Sequence, residues 1–111
     1  MTEQNGTVQV TDDTFTDRIE GSKGLAIVDF WATWCGPCRI VGPIVDELSR
    51  EYADQGVVVG KVDVDSNPGT ASRFGIRSIP SILFFKDGKH VDTVVGAVPK
   101  SHLEKKIEEH L

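Results

Sequence analysis

Leu25-Ala26-Ile27-Val28-Asp29-Phe30-Trp31-Ala32-Thr33-Trp34-Cys35-Gly36-Pro37-Cys38 runs from a strand into a helix. From 25 to 32 the chain is apolar on both faces except at Asp29, as a central parallel strand covered by helices on both sides requires. After Cys35 the apolar period changes. Val41, Ile44, Val45, Leu48 and Tyr52 follow a helical stripe to about residue 53, with Pro43 inside it. Its missing N–H and its ring, which crowds the preceding turn, predict a kink there.

Outward from this unit, helix and strand signals alternate. Residues 7–10 read as a short strand, and 12–20 as a helix with Phe15 and Ile19 four apart, ended by Gly21. A buried strand follows at 57–64, interrupted by Lys61, and Asn67-Pro68 then caps a short helix to about 74. Residues 82–86 and 90–95 flank Asp87-Gly88, a strong hairpin signal. Residues 99–111 close the chain as a helix with Leu103, Ile107 and Leu111 at four-residue spacing. The order βαβαβαββα makes this an α/β chain. Its crossovers require parallel pairs and its last hairpin an antiparallel one, giving a mixed central sheet with helices on both faces.

Composition bounds what such a chain can do. At 111 residues it is read as a single domain, 1–111, and 39% hydrophobic with 26% charged residues is ordinary for a folded globular chain. Lys and Arg number 12 against 17 Asp and Glu, a net charge of −5. No basic cluster offers itself to a phosphate backbone, so no nucleic-acid partner is expected. The longest apolar runs, 25–28 and 82–85, are too short to span a bilayer, and the polar start at 1–6 lacks a signal-peptide core. The expectation is a monomeric, cytoplasmic protein without a membrane partner. Two cysteines separated by two residues close a loop too short to staple a fold, so their purpose is chemical.

Cys35 falls where the buried strand ends and the helix begins, a usual place for sites in open α/β sheets. In the N-cap region it faces unpaired backbone N–H groups and the positive end of the helix dipole, which stabilise a thiolate, the attacking species. The i, i+3 spacing brings Cys38 to the same side of the first turn, within disulfide reach but further inside. Cys35 is thus the exposed nucleophile and Cys38 the resolving thiol. Pro37 suits the first turn, and Gly36 lets a partner chain approach closely. Neither adds a charge beside the thiolate, which argues for a reducing couple. A zinc half-site is the rival reading of such a pair. Zinc needs further ligands, and His90, His102 and His110 show no spacing that supplies them.

Trp34-Cys35-Gly36-Pro37-Cys38 resembles the active-site signature of the thioredoxins, and the likeness extends across nearly the whole chain. It includes 28–32, Lys61, Asn67-Pro68-Gly69-Thr70, the run from Phe74 to Pro80, and Val95-Gly96-Ala97. The resemblance implies the thioredoxin-like strand order 1-3-2-4-5 and a cis peptide at Ile79-Pro80, with Pro80 facing the disulfide and the Ile79 backbone pairing with an extended substrate segment. It also implies a general protein-disulfide reductase whose only redox group is the Cys35–Cys38 disulfide. No cofactor or metal is expected; the implied partners are a flavoprotein thioredoxin reductase and diverse disulfide-containing clients. An oxidase or isomerase on the same fold is disfavoured by Gly36-Pro37, and a redox-independent binding subunit remains as the alternative of a different class.

Asp29 and Lys61 form a second constellation. A carboxylate in an apolar strand has a partner or a raised pKa. Either the two make a buried ion pair, or Asp29 relays a proton to and from Cys38 through water, with Lys61 modulating it. Trp34, Gly36, Pro37, Val64, Gly75, Ile79, Pro80, Gly96 and Ala97 are expected to ring the cysteines as a docking patch for extended segments. Phe30 and Trp31 are read as packing residues. Gly42, where many relatives carry Ala, is expected to loosen the kink without touching the chemistry, and Pro99 to start the last helix from its first turn.

Overall fold

The computed structural model describes residues 6–111; the polar start at 1–5 lies outside them. Five strands, β1 (Thr7–Gln9), β2 (Leu25–Trp31), β3 (Val58–Asp63), β4 (Ser81–Lys86) and β5 (Lys89–Val95), form one sheet in the order β1-β3-β2-β4-β5. β3 lies parallel to both β1 and β2, whereas β4 runs antiparallel to β2 and β5. The helices are α1 (Gly36–Glu51), α2 (Pro68–Arg73) and α3 (Lys100–His110). α1 runs through Pro43 without ending.

Strand alternation sorts the core into two layers. Leu25 and Ile27 of β2 join Val59, Ile82 and Phe84 beneath Val41, Val45 and Leu48 of α1 and Leu103 and Ile107 of α3. Ala26, Val28 and Phe30 point the other way, toward Phe15, Ile19, Ala71 and Phe74. Asp29 has the parity of Leu25 and Ile27 and therefore lies on the α1 face. Lys61, paired with it in register across β3, shares that parity with Val59. Leu111 lies beyond α3 and is exposed, so the terminal stripe stops at Ile107.

Three local expectations change. Residues 12–20 do not form one α-helix: a turn leads into a wide helical turn, Thr16–Glu20, closed by the Gly21 N–H on Thr16 O at 2.8 Å. Phe15 and Ile19 are both buried there, and a Cβ at position 21 would stand 2.8 Å from Asp17 O, so the tight exit needs glycine. Asn67 occupies the cap position of α2, but its side chain does not cap it. Asp12 does so from across the molecule, accepting from Gly69 N at 3.1 Å, Thr70 N at 2.7 Å and Thr70 Oγ1 at 2.6 Å, while Asn67 Oδ1 accepts from Asp12 N at 2.9 Å. Pro99 is itself the N-cap of α3 rather than a residue of its first turn. The Asp87-Gly88 hairpin is as expected: both residues have positive φ, 50° and 84°, as the two-residue turn demands.

Candidate active site

β2, the central strand, ends at Trp31, and four residues separate it from α1. Cys35 is the N-cap, extended at φ −90° and ψ 110°, and its sulfur accepts from Cys38 N at 3.2 Å. Of the backbone N–H groups that a helix start leaves without intrahelical partners, one is thus aimed at Cys35 Sγ. Pro37, in the first turn, has no N–H to leave unpaired. Cys35 and Cys38 are joined as a disulfide with Cα atoms 5.3 Å apart.

Exposure does not separate the two cysteines as the sequence suggests. Cys35 is 3% exposed and Cys38 5%, because Ala32, Trp31, Val64 and Ile79 pack around them. What separates them is surroundings. Cys35 Sγ lies 3.7 Å from the Ile79 carbonyl oxygen, flanked by exposed Trp34, Gly36 and Pro37. Cys38, one turn deeper, opens on the opposite side into a cleft of about 440 Å³ lined by Asp29, Trp31, Arg39, Gly42, Asp46 and Lys61, among others.

The remaining patch residues are placed unevenly. The Ile79-Pro80 peptide is cis, Pro80 is buried, and its carbonyl accepts from Gly96 N at 2.8 Å, which ties the turn after β5 to the site. Val64 and Ile79 touch the cysteines, whereas Gly75 and Ala97 are exposed and have no hydrogen bond to the disulfide. Trp34, 66% exposed, is held by its indole N–H on Asp65 Oδ2 at 2.8 Å. Trp31 is more than packing: it lines the cleft, and its buried Nε1 has no hydrogen-bond partner.

Asp29 is 1% exposed, and its Oδ1 makes no hydrogen bond. Burial pushes its carboxyl from 3.8 up to about 7; the Lys61 charge pulls it down and the Asp46 charge pushes it further up. Of the two readings of Asp29 and Lys61, the direct ion pair is not formed. Lys61 Nζ instead stands 2.9 Å from Asp46 Oδ1, close enough for an ion pair but not aligned as a hydrogen bond. The four-carbon lysine stem carries the ammonium off the sheet toward α1. Asp46 escaped the sequence reading, although Cys38, Gly42 and Asp46 stand at four-residue intervals on one helix line. Nor is Gly42 remote from the chemistry, since a Cβ there would stand 3.7 Å from Lys61 Nζ. Asp65 and Arg39, which donates to Thr33 O at 2.8 Å, carried no comparable signal.

A family model described as Thioredoxin matches residues 6–109. The chain belongs to the thioredoxin family. Thioredoxin 1 of Synechococcus elongatus is 56% identical over 102 residues, covering 92% of this chain and 94% of that protein. Thioredoxin of Synechocystis is 50% identical over 107 residues, covering 96% and 99%. The chloroplastic M-type thioredoxin of Pisum sativum is 50% identical over 105 residues, covering 94% of this chain and 60% of that protein. Thioredoxins are protein-disulfide oxidoreductases, and this family member is a protein-disulfide reductase that works by dithiol/disulfide exchange through Cys35-Gly36-Pro37-Cys38. Among the described residues no helix is long and apolar enough to cross a membrane, and the relatives come from cyanobacteria and a chloroplast alike.

Proposed function

We propose that Cys35 is the nucleophile, Cys38 the resolving thiol and Asp29 the proton relay of a general, monomeric, one-domain reductase in the cytoplasm. The observation that carries this reading is the placement of Cys35 Sγ at the helix cap, against the Cys38 N–H and the Ile79 carbonyl. In the reduced protein the helix start stabilises the Cys35 thiolate. That thiolate attacks a client disulfide, forming a mixed disulfide and releasing one client thiolate. Cys38, deprotonated by Asp29 through water in the cleft, then attacks Cys35 Sγ, breaking the mixed disulfide and releasing the second client sulfur as a thiolate, and Asp29 afterwards gives up its proton through the same water. The Cys35–Cys38 disulfide that results is the state described above, and a reductase returns two electrons to it. Lys61 modulates the relay. Trp34, Gly36, Pro37, Val64, Gly75, Ile79, Pro80, Gly96 and Ala97 form the docking patch, where main-chain groups pair with an extended client segment. No bound cofactor or metal enters the cycle.

Two measurements test this reading. A Cys35→Ser/Cys38→Ser double variant is expected to lose reduction of a protein disulfide completely; retention of full cellular function would favour a redox-independent binding subunit instead. Pro37→His sets a cationic group beside the thiolate in the exposed first turn and stabilises the reduced form. The couple is expected to become more oxidising by at least about 30 mV, a tenfold change in equilibrium constant, in glutathione buffers. An unchanged or more negative potential would remove the electrostatic argument for the loop.

A further inference from the structure

The paired register of β2 and β3 sets Asp29 beside Lys61 on the α1 face. A buried carboxylate next to a lysine ordinarily pairs with it, because an unpaired charge in an apolar layer is costly. Here it does not. Lys61 Nζ reaches past Asp29 to Asp46 Oδ1 at 2.9 Å, while Asp29 Oδ1 stays buried without a partner. Gly42 stands on the same helix line between Cys38 and Asp46 and borders the cleft beside this ammonium; a Cβ there would meet Lys61 Nζ at 3.7 Å, an ordinary van der Waals contact.

We propose that Asp46 is a positioning residue which holds the Lys61 ammonium and so keeps that cation off Asp29. An Asp29 carboxylate clamped to Lys61 would be a fixed anion and a weak base. Released from it, the carboxyl exchanges a proton near neutrality, where a general acid–base works best. The charged and titratable groups facing Asp29 in this cleft are Cys38, Arg39 and Asp46 from α1 and Lys61 from β3. Arg39 is engaged by the Thr33 carbonyl, and Cys38 does not titrate in the disulfide form. That leaves the partition of Lys61 between two carboxylates as the adjustable quantity. The functional consequence rests on the reading of Asp29 as the relay; the positional claim does not.

The experiment is a carboxyl-carbon NMR titration of Asp29 in the oxidised protein labelled at aspartate. In Asp46→Asn, Lys61 turns to Asp29, and the titration midpoint is expected to fall by about one unit or more, the effect of a close opposite charge. Asp46→Glu is expected to restore the wild-type midpoint. In a Lys61→Gln background the Asp46→Asn shift is expected to shrink to less than half, leaving only the lost repulsion between carboxylates. An unchanged midpoint in Asp46→Asn, or an equal shift with and without Lys61, would overturn the proposal. Asp46→Ala, a better helix former, serves the same test if the Asn variant does not fold. The pH profile of single-turnover reduction, run on the same variants, separates the two readings. A midpoint that falls while the rate profile stays put supports the role of Asp46 and removes Asp29 from the relay.

Discussion

Cys38→Ser is expected to accumulate mixed disulfides with client proteins, whereas Cys35→Ser is expected to capture almost none and to lose disulfide reduction by roughly a thousandfold or more, the effect of removing a covalent nucleophile. The asymmetry follows from the helix cap. At 3% and 5% exposure the two sulfurs are equally hidden, so access alone would make either a nucleophile. Only Cys35 Sγ accepts a backbone N–H at the start of α1 and looks toward the Ile79 carbonyl. Cys38 instead lines the Asp29 cleft, beside the carboxyl proposed to deprotonate it. Non-reducing gels of lysate incubated with each variant check the outcome; equal capture by both, or by neither, would reverse or remove the assignment.

Asp29→Ala is expected to give a protein more stable than wild type at neutral and alkaline pH, yet slower in the second exchange step. The wild-type carboxyl titrates at about 7 when folded against 3.8 ordinarily, with burial as the main cause. A raised folded pKa means that the native state holds a proton which the unfolded chain has lost. Stability is therefore unaffected by Asp29 below about pH 4, falls as pH rises toward 7, and stays reduced above it. At about 1.4 kcal/mol per unit, the cost above pH 7 amounts to at most about 4 kcal/mol. The variant removes that cost. Because Lys61 is already engaged by Asp46, it loses no direct partner, and little offsets the gain. Urea unfolding of both oxidised proteins between pH 4 and 9 should show curves that meet at low pH and diverge above it. A variant destabilised at pH 8, or one with an unchanged single-turnover rate, would contradict the burial and relay argument.

Much of the site was legible because it depends on short-range pattern. A cysteine pair three residues apart at a strand-to-helix junction needs only local geometry to form a disulfide across the first turn, and Asp87-Gly88 needs only its own positive φ values to make a hairpin. The carboxylate at Asp29 stood out against the apolar strand around it. The order of the strands was different in kind: it came through the likeness to a family, not through periodicity, since no local signal tells β3 to lie between β1 and β2.

By itself, then, the sequence determined most of the elements, though not the form of the segment at 12–20, together with the redox pair and the oddity at Asp29, properties that act over a turn or a strand. The tertiary structure alone decided who meets whom. It buried Cys35 as deeply as Cys38, capped α2 with Asp12 from more than fifty residues away, and placed Asp65 under the Trp34 indole. It also gave Lys61 to Asp46 rather than to Asp29. The reason is the same in each case. A charged or hydrogen-bonding side chain takes the partner that packing brings within about 3 Å, and that depends on how α1, α2 and the loops settle on the sheet, which no period along the chain encodes.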